Sequence, residues 1–211
     1  MDLTYSESDS KKLQTASSEA FLAPHHERML EIGSAISPQM ISDRGYFTAT
    51  EPEELRKLGF AEYQCLTPAL VIPSYDVHRE RRLYRARPDS PRRDREKPGK
   101  VVKYEQPAGT GISLDVPPSA FRALKAPDTP LWMVEGEKKA DALCSRGLCA
   151  VGLFGVWAWK RDGLPLPDWD NIAIVGRKVF IAFDSDAERK VEVRRARTAL
   201  AAYLKGRGAV G

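Results

Sequence analysis

Apolar and polar positions follow a regular scheme over the C-terminal part of the chain. LWMVE, beginning at Leu131, predicts a buried strand; EKKADALCSRG predicts a helix ended by Gly147; CAVGLFG and KVFIAFD predict two more strands. VEVRRARTALAAYLKGRG then predicts an amphipathic helix closed by glycine. Strands alternating with helices imply a parallel sheet with helices on its faces, so the fold class is α/β. The final GAVG begins what would be a further strand, the pattern of a C-terminally truncated domain.

Upstream the pattern is more broken. Met29, Ile32, Ile36, Met40 and Ile41 recur at helical spacing, interrupted by Gly33 and by Ser37-Pro38, where serine would cap a second helix and proline would open it. EPEELRKLGF predicts a short helix closed by Gly59. ALVIPSYD and RLYRARPD predict two strands joined by polar VHRER in a hairpin. Residues 1–20 carry almost no large apolar side chains and read as a disordered tail. The division that follows is 1–20 tail, 21–125 small basic α+β subdomain and 126–211 α/β domain.

Composition narrows the class. The 211 residues carry a net charge of +4, with no membrane-span-length apolar run and no signal-peptide layout, so a cytoplasmic protein without membrane attachment is expected. Cys65, Cys144 and Cys149 form no CxxC pair and lie far in sequence from His25, His26 and His78, so buried reduced thiols are expected rather than a zinc finger. The charge is unevenly spread. Between residues 79 and 103 stand 11 Arg and Lys against 4 Asp and Glu. Arg85 and Arg87 alternate within a predicted strand and would share a face, either solvated or meeting phosphates. The centre of that stretch, RPDSPRRDREKPGK, reads as a mobile loop.

The candidate chemistry lies at strand ends. VFIAFDSD delivers Asp184 and Asp186 to one side of a strand, with Ser185 pointing away. Two neighbouring carboxylates raise one another's pKa unless a cation neutralises them. Glu135 ends another strand of the same sheet, and ligand sites of parallel sheets lie beyond the strand C-termini. Three carboxylates there suit Mg²⁺ while leaving coordination places for water and phosphate. Taken singly, each is equally readable as a strand-end acid or a helix-cap acid. Lys138 and Lys139, in the first turn of a helix, are readable as phosphate contacts or as solvated lysines. GVWAWKRDG gathers Trp157, Trp159, Lys160 and Arg161, either as a base-stacking platform with cations or as core aromatics.

VEGEKKADAL followed later by VFIAFDSD resembles the Toprim domain, the metal-binding module of bacterial-type primases, type IA and II topoisomerases and related nucleases. The resemblance implies Mg²⁺ or Mn²⁺ bound by Glu135, Asp184 and Asp186 as catalytic residues. It extends upstream: LVIPSYDVHRERRLYRARPD and KVVKYEQPAG are similar to the segment ahead of Toprim in primase cores, which places Arg87 and Lys103 where primases keep basic residues for template and nucleotide phosphates. The arrangement most closely resembles the Toprim-like domain of uncharacterised function in phage and plasmid replication proteins. What the resemblance implies is a Toprim-like sheet preceded by a primase-core-like subdomain, acting as a DNA primase that binds single-stranded DNA and nucleoside triphosphates beside a helicase. A metal-dependent nuclease and a non-catalytic DNA-binding module of a primase-helicase are the alternatives. Primases carry an Asp four residues after the Glu; position 139 here is Lys, and Asp141 falls on another face of the helix.

Overall fold

The computed structural model describes residues 21–184 and 190–210. The predicted tail, 1–20, and Asp186 lie outside the described residues.

Two helices open the fold, α1 (Pro24–Ser34) and α2 (Pro38–Arg44). Ser37 caps α2, its hydroxyl accepting the Met40 N–H at 3.3 Å, and Pro38 takes the first helical position, where its missing N–H is not needed. β1 (Phe47–Ala49), β2 (Ala69–Tyr75) and β3 (Arg81–Pro88) form an antiparallel sheet in that order, with β2 and β3 as the expected hairpin. α3 (Pro52–Lys57) follows β1, and the chain leaves it through Gly59 at φ 89°. The stretch read as a mobile loop follows an irregular path with local contacts. Arg93 bridges Val101, the Asp94 carboxylate accepts the N–H groups of Glu96 and Lys97, and Arg92 pairs with buried Glu105 at 2.6 Å. Arg92, part of the basic excess, is thereby neutralised by Glu105 just beyond the segment.

The second sheet is parallel, in the order β5 (Cys149–Leu153), β4 (Leu131–Glu135), β8 (Val179–Ala182). α4 (Glu137–Cys144) packs against β4 and β5, and α5 (Val191–Gly206) against β8. A short hairpin, β6 (Lys160–Arg161) and β7 (Leu164–Pro165), interrupts the run between β5 and β8. Val210 bridges Lys178 in parallel. Leu70, Ile72 and Leu114 from the first part and Leu131, Met133, Val151 and Leu200 from the second belong to one buried apolar cluster.

A charged network lies inside that cluster. Fully buried Arg44 at the end of α2 donates to both carboxylate oxygens of Asp115 (2.9 and 3.0 Å), to the Pro73 carbonyl (3.0 Å) and to Asp141 (2.6 Å). The Tyr46 hydroxyl donates to the other Asp141 oxygen at 2.5 Å, and Ser74 donates to Asp115. Asp141 therefore ties α4 to α2, which is where its displaced position on the helix has placed it. Asp115 also exchanges backbone hydrogen bonds with Gly152 on β5, at 2.9 and 2.8 Å. A Cβ at position 152 would stand 3.2 Å from the Gly136 carbonyl and 3.3 Å from the Asp115 carboxylate, so a side chain there would push against the turn that joins β4 to α4.

Candidate functional site

The parallel register aligns the C-termini of three strands. Glu135 pairs with Leu153 on β5, and Val134 with Ala182 on β8, so Glu135, Phe154 and Asp184 emerge at one sheet edge. Gly136, at φ 90°, lets the chain turn from β4 directly into α4, a conformation that a side chain would strain. Its N–H stays on the Leu153 carbonyl at 2.8 Å, which holds Glu135 at the rim.

A cavity of about 430 Å³ opens at this edge. Glu135 and Asp184 line one side with Lys138 and Lys139 from the first turn of α4; Arg85 and Arg87 from β3, with Lys103 and Tyr104, line the other. The structure thus gathers seven of the predicted site residues around one space: Glu135, Asp184, Arg85, Arg87, Lys103, Lys138 and Lys139.

Their states differ. Arg85 donates through one nitrogen to both carboxylate oxygens of buried Glu137, at 3.0 and 2.9 Å. Its guanidinium is flanked by the rings of Tyr104 (4.7 Å to the centroid) and Phe154 (5.1 Å). It is built into the wall, and its charge is matched by Glu137. Arg87 lies 5.8 Å from the Tyr104 centroid. Burial, and next the charge of Arg87, lower the Lys138 pKa to about 8. Lys139 does not face the basic wall; its ammonium pairs with the Asp184 carboxylate.

Lys160 and Arg161 lie elsewhere, on β6. Lys160 sits over the rings of Trp157 (4.6 Å) and Trp159 (5.1 Å). Trp159 is buried and stacks on Tyr203 at 5.2 Å, and its carbonyl accepts the Trp169 indole N–H at 2.9 Å. It plugs the core, while Trp157 is half-buried. Arg161 is exposed beside Asp162. Neither cation lines the cavity.

Three participants carried no clear signal in the sequence. Tyr104 and Phe154 provide the aromatic walls, and Glu137 neutralises Arg85. Lys-Tyr in KVVKYEQP and the strand-end Phe of CAVGLFG were the available hints.

The donor set fits a hard divalent cation. Glu135 and Asp184 offer carboxylate oxygens at an open rim, and such ions take oxygen ligands while retaining waters. Lys139 already holds Asp184, so a metal must compete with an ammonium group there. Among the described residues, no helix is long and apolar enough to cross a membrane.

Comparison with known proteins agrees with this architecture. The family described as a domain of unknown function (DUF3854) matches residues 122–210. An uncharacterized protein of Picosynechococcus sp. is 30% identical over 137 residues, covering 48% of this chain and 14% of the relative. The Aquifex aeolicus primase, solved with its zinc-binding and RNA polymerase domains, superposes with a TM-score of 0.59 at 16% identity, covering 89% of this chain and 48% of that one. A DnaG catalytic core gives 0.54 at 16% identity over 84% of this chain and 60% of that one. A DnaG catalytic domain bound to single-stranded DNA gives 0.52 at 15% identity, over 84% and 59%.

The fold is that of a primase catalytic core. The chain spans about half the length of those primase structures and a small fraction of the curated relative.

Proposed function

We propose that this chain is a Toprim-type, primase-like nucleotidyl-transfer core of a phage or plasmid replication protein, binding single-stranded DNA and nucleoside triphosphates beside a helicase domain or subunit. The observation that carries the reading is an acidic sheet edge, Glu135 and Asp184 with Lys138 beside them, facing Arg87 and Lys103 across one cavity in a primase-core fold. Glu135, Asp184 and Asp186 would hold Mg²⁺ or Mn²⁺, which when bound neutralises phosphate charge and orients a phosphoryl group for in-line attack. Arg87 and Lys103 would hold template or nucleotide phosphates, and Tyr104 gives their wall a flat apolar surface. Lys138, half-buried between the two walls, would meet phosphate oxygens from the α4 side, where the helix N-terminus adds its own attraction for anions. Arg85 serves this arrangement indirectly by fixing Glu137 and the two aromatic rings around it.

The test is primer synthesis by the full chain on single-stranded templates with nucleoside triphosphates and Mg²⁺ or Mn²⁺. Metal-dependent product that is lost in Asp184→Asn supports the reading; no product on any template, with DNA binding intact, overturns the catalytic part. The ion pair between Lys139 and Asp184 favours a second reading, a DNA-binding module without catalysis, and that outcome is its signature. Nicked plasmid in the same buffers, lost in Asp184→Asn, would instead assign a metal-dependent nuclease.

A further inference from the structure

Away from the cavity, two imidazoles converge on one carboxylate. His25 and His26, at the start of α1, direct their Nε2 atoms to the two oxygens of Asp89, just past the end of β3, each at 2.9 Å. The rings lie 4.1 Å apart, and the three donor atoms fall within 4.8 Å of one another. We propose that His25, His26 and Asp89 form a Zn²⁺ site that staples the start of α1 to the end of β3.

Donor chemistry selects the metal. Two imidazole nitrogens and one carboxylate suit Zn²⁺, whereas Mg²⁺ prefers an all-oxygen set, so this site and the acidic sheet edge call for different ions. Zinc bonds of about 2.1 Å in a tetrahedron separate ligand atoms by about 3.4 Å. Both imidazole–carboxylate distances, 2.9 Å, lie near that spacing, and the three donor atoms fall within 4.8 Å of one another.

The surroundings are built for a ligand role. The Thr48 hydroxyl lies 2.8 Å from His26 Nδ1 and itself accepts the Ala23 N–H at 2.8 Å. Without a metal, His26 Nε2–H donates to Asp89 and the Thr48 O–H donates to Nδ1; a bound ion would switch the tautomer, with Nδ1–H donated to Thr48 and the Nε2 lone pair turned to the metal, the usual way an outer hydrogen bond orients a ligating histidine. His26 is completely buried while His25 is 47% exposed along its side chain, so the site opens to solvent on one side and water can take the fourth position. Arg87, close enough to act on His26, opposes a cation; the Asp89 carboxylate offsets it.

Isothermal titration of chelator-stripped full chain with ZnCl₂, and the visible absorption of Co²⁺ as a substitute, test this. Expected are one equivalent of tightly bound Zn²⁺ and a tetrahedral Co²⁺ spectrum, with affinity falling about tenfold or more in His25→Ala and in Asp89→Asn. His25 is exposed enough that its truncation leaves the fold in place; Asp89→Asn, nearly isosteric, provides the second check, and circular dichroism confirms both are folded. Asp184→Asn, at the other site, is expected to keep the stoichiometry. Equal Zn²⁺ affinity in wild type and the two site variants, or loss of the equivalent in Asp184→Asn alone, overturns the proposal.

Discussion

Lys139, in the first turn of α4, places its ammonium against the Asp184 carboxylate, two residues beyond β8. Both side chains are about half exposed, so the pair contributes only about 0–1 kcal/mol and a divalent ion can displace it. On the proposed metal-binding reading, the lysine is a built-in competitor. Lys139→Ala is expected to tighten Mn²⁺ binding by up to about fivefold, since about 1.4 kcal/mol corresponds to a factor of ten and the pair is worth about 1 kcal/mol at most. Calorimetric titration of Mn²⁺ into both proteins measures it, and identical affinities would mean that the metal, if it binds, avoids Asp184.

Two arginines on one strand are expected to separate stability from binding. Removing Arg85 strands Glu137, which is 2% exposed, and breaking a buried pair from one side costs about 3–5 kcal/mol. Arg85→Ala should therefore lower the melting temperature sharply. Arg87→Ala should leave melting nearly unchanged and weaken single-stranded DNA binding. With one phosphate no longer neutralised, the salt slope should shrink by about 0.7. Melting curves and fluorescence anisotropy at several salt concentrations separate the two. The reverse assignment, with Arg85 setting the salt slope, would remove the basic wall from the proposal.

Short-range pattern made most of the fold readable, and long-range pairing made much of the site unreadable. Apart from the short β6–β7 hairpin, the strands and helices after Leu131 follow from periodicity, and Ser37-Pro38 marks a helix start because cap and first turn are adjacent in sequence. Arg85 and Glu137 are 52 residues apart, and Arg44 and Asp141 are 97 apart, so their pairing depends on which elements the topology brings together. Asp141 in the sequence only falls on another face of its helix from the position where primases carry Asp, and in the structure it is buried with a cation. Lys139 reads equally as a phosphate contact or a solvated lysine until its partner is known. His25 and His26 stand out only against cysteines in the sequence; their partner is a carboxylate about sixty residues on, supplied by a strand end. Trp157 and Trp159, two apart, are compatible with a binding platform or a core plug, and only the position of Tyr203 decides for Trp159.

The network around Arg44 makes a pH prediction. One guanidinium serves two fully buried carboxylates, and burial pushes the Asp141 carboxyl from 3.8 up to about 6, against the pull of Arg44. Between those values the folded protein holds more protons than the unfolded one, so this group's stabilisation is complete below about pH 4 and is lost as pH rises through about 6. Asp141→Asn cannot titrate. Denaturant unfolding from pH 4 to 7 is expected to show a wild-type-minus-variant stability difference that declines with pH. A flat difference would mean that Asp141 ionises as an ordinary carboxylate.

Lys138 carries a prediction of binding against pH. Burial and the charge of Arg87 bring its pKa down to about 8, so the side chain is mostly charged at pH 7 and mostly neutral at pH 9. A phosphate contact made by this ammonium weakens over that interval, and single-stranded DNA affinity should fall with it. Protein stability follows the opposite sign. A lysine pKa depressed by folding means that the folded state binds its proton less tightly, so the cost of holding the charge disappears as pH rises from about 8 towards the ordinary value of 10.5. Affinity and stability therefore diverge above pH 8. Lys138→Met is expected to start with weaker binding at pH 7 and show a flatter profile, while Lys138→Arg keeps its charge and holds affinity to pH 9. Anion binding should also return the pKa towards its ordinary value, giving proton uptake on binding at pH 8, read as a dependence of the calorimetric enthalpy on the buffer's ionisation enthalpy. If Lys138→Met reproduces the wild-type profile, Lys138 does not touch the bound strand, and the phosphate path must run along Arg87 and Lys103 alone.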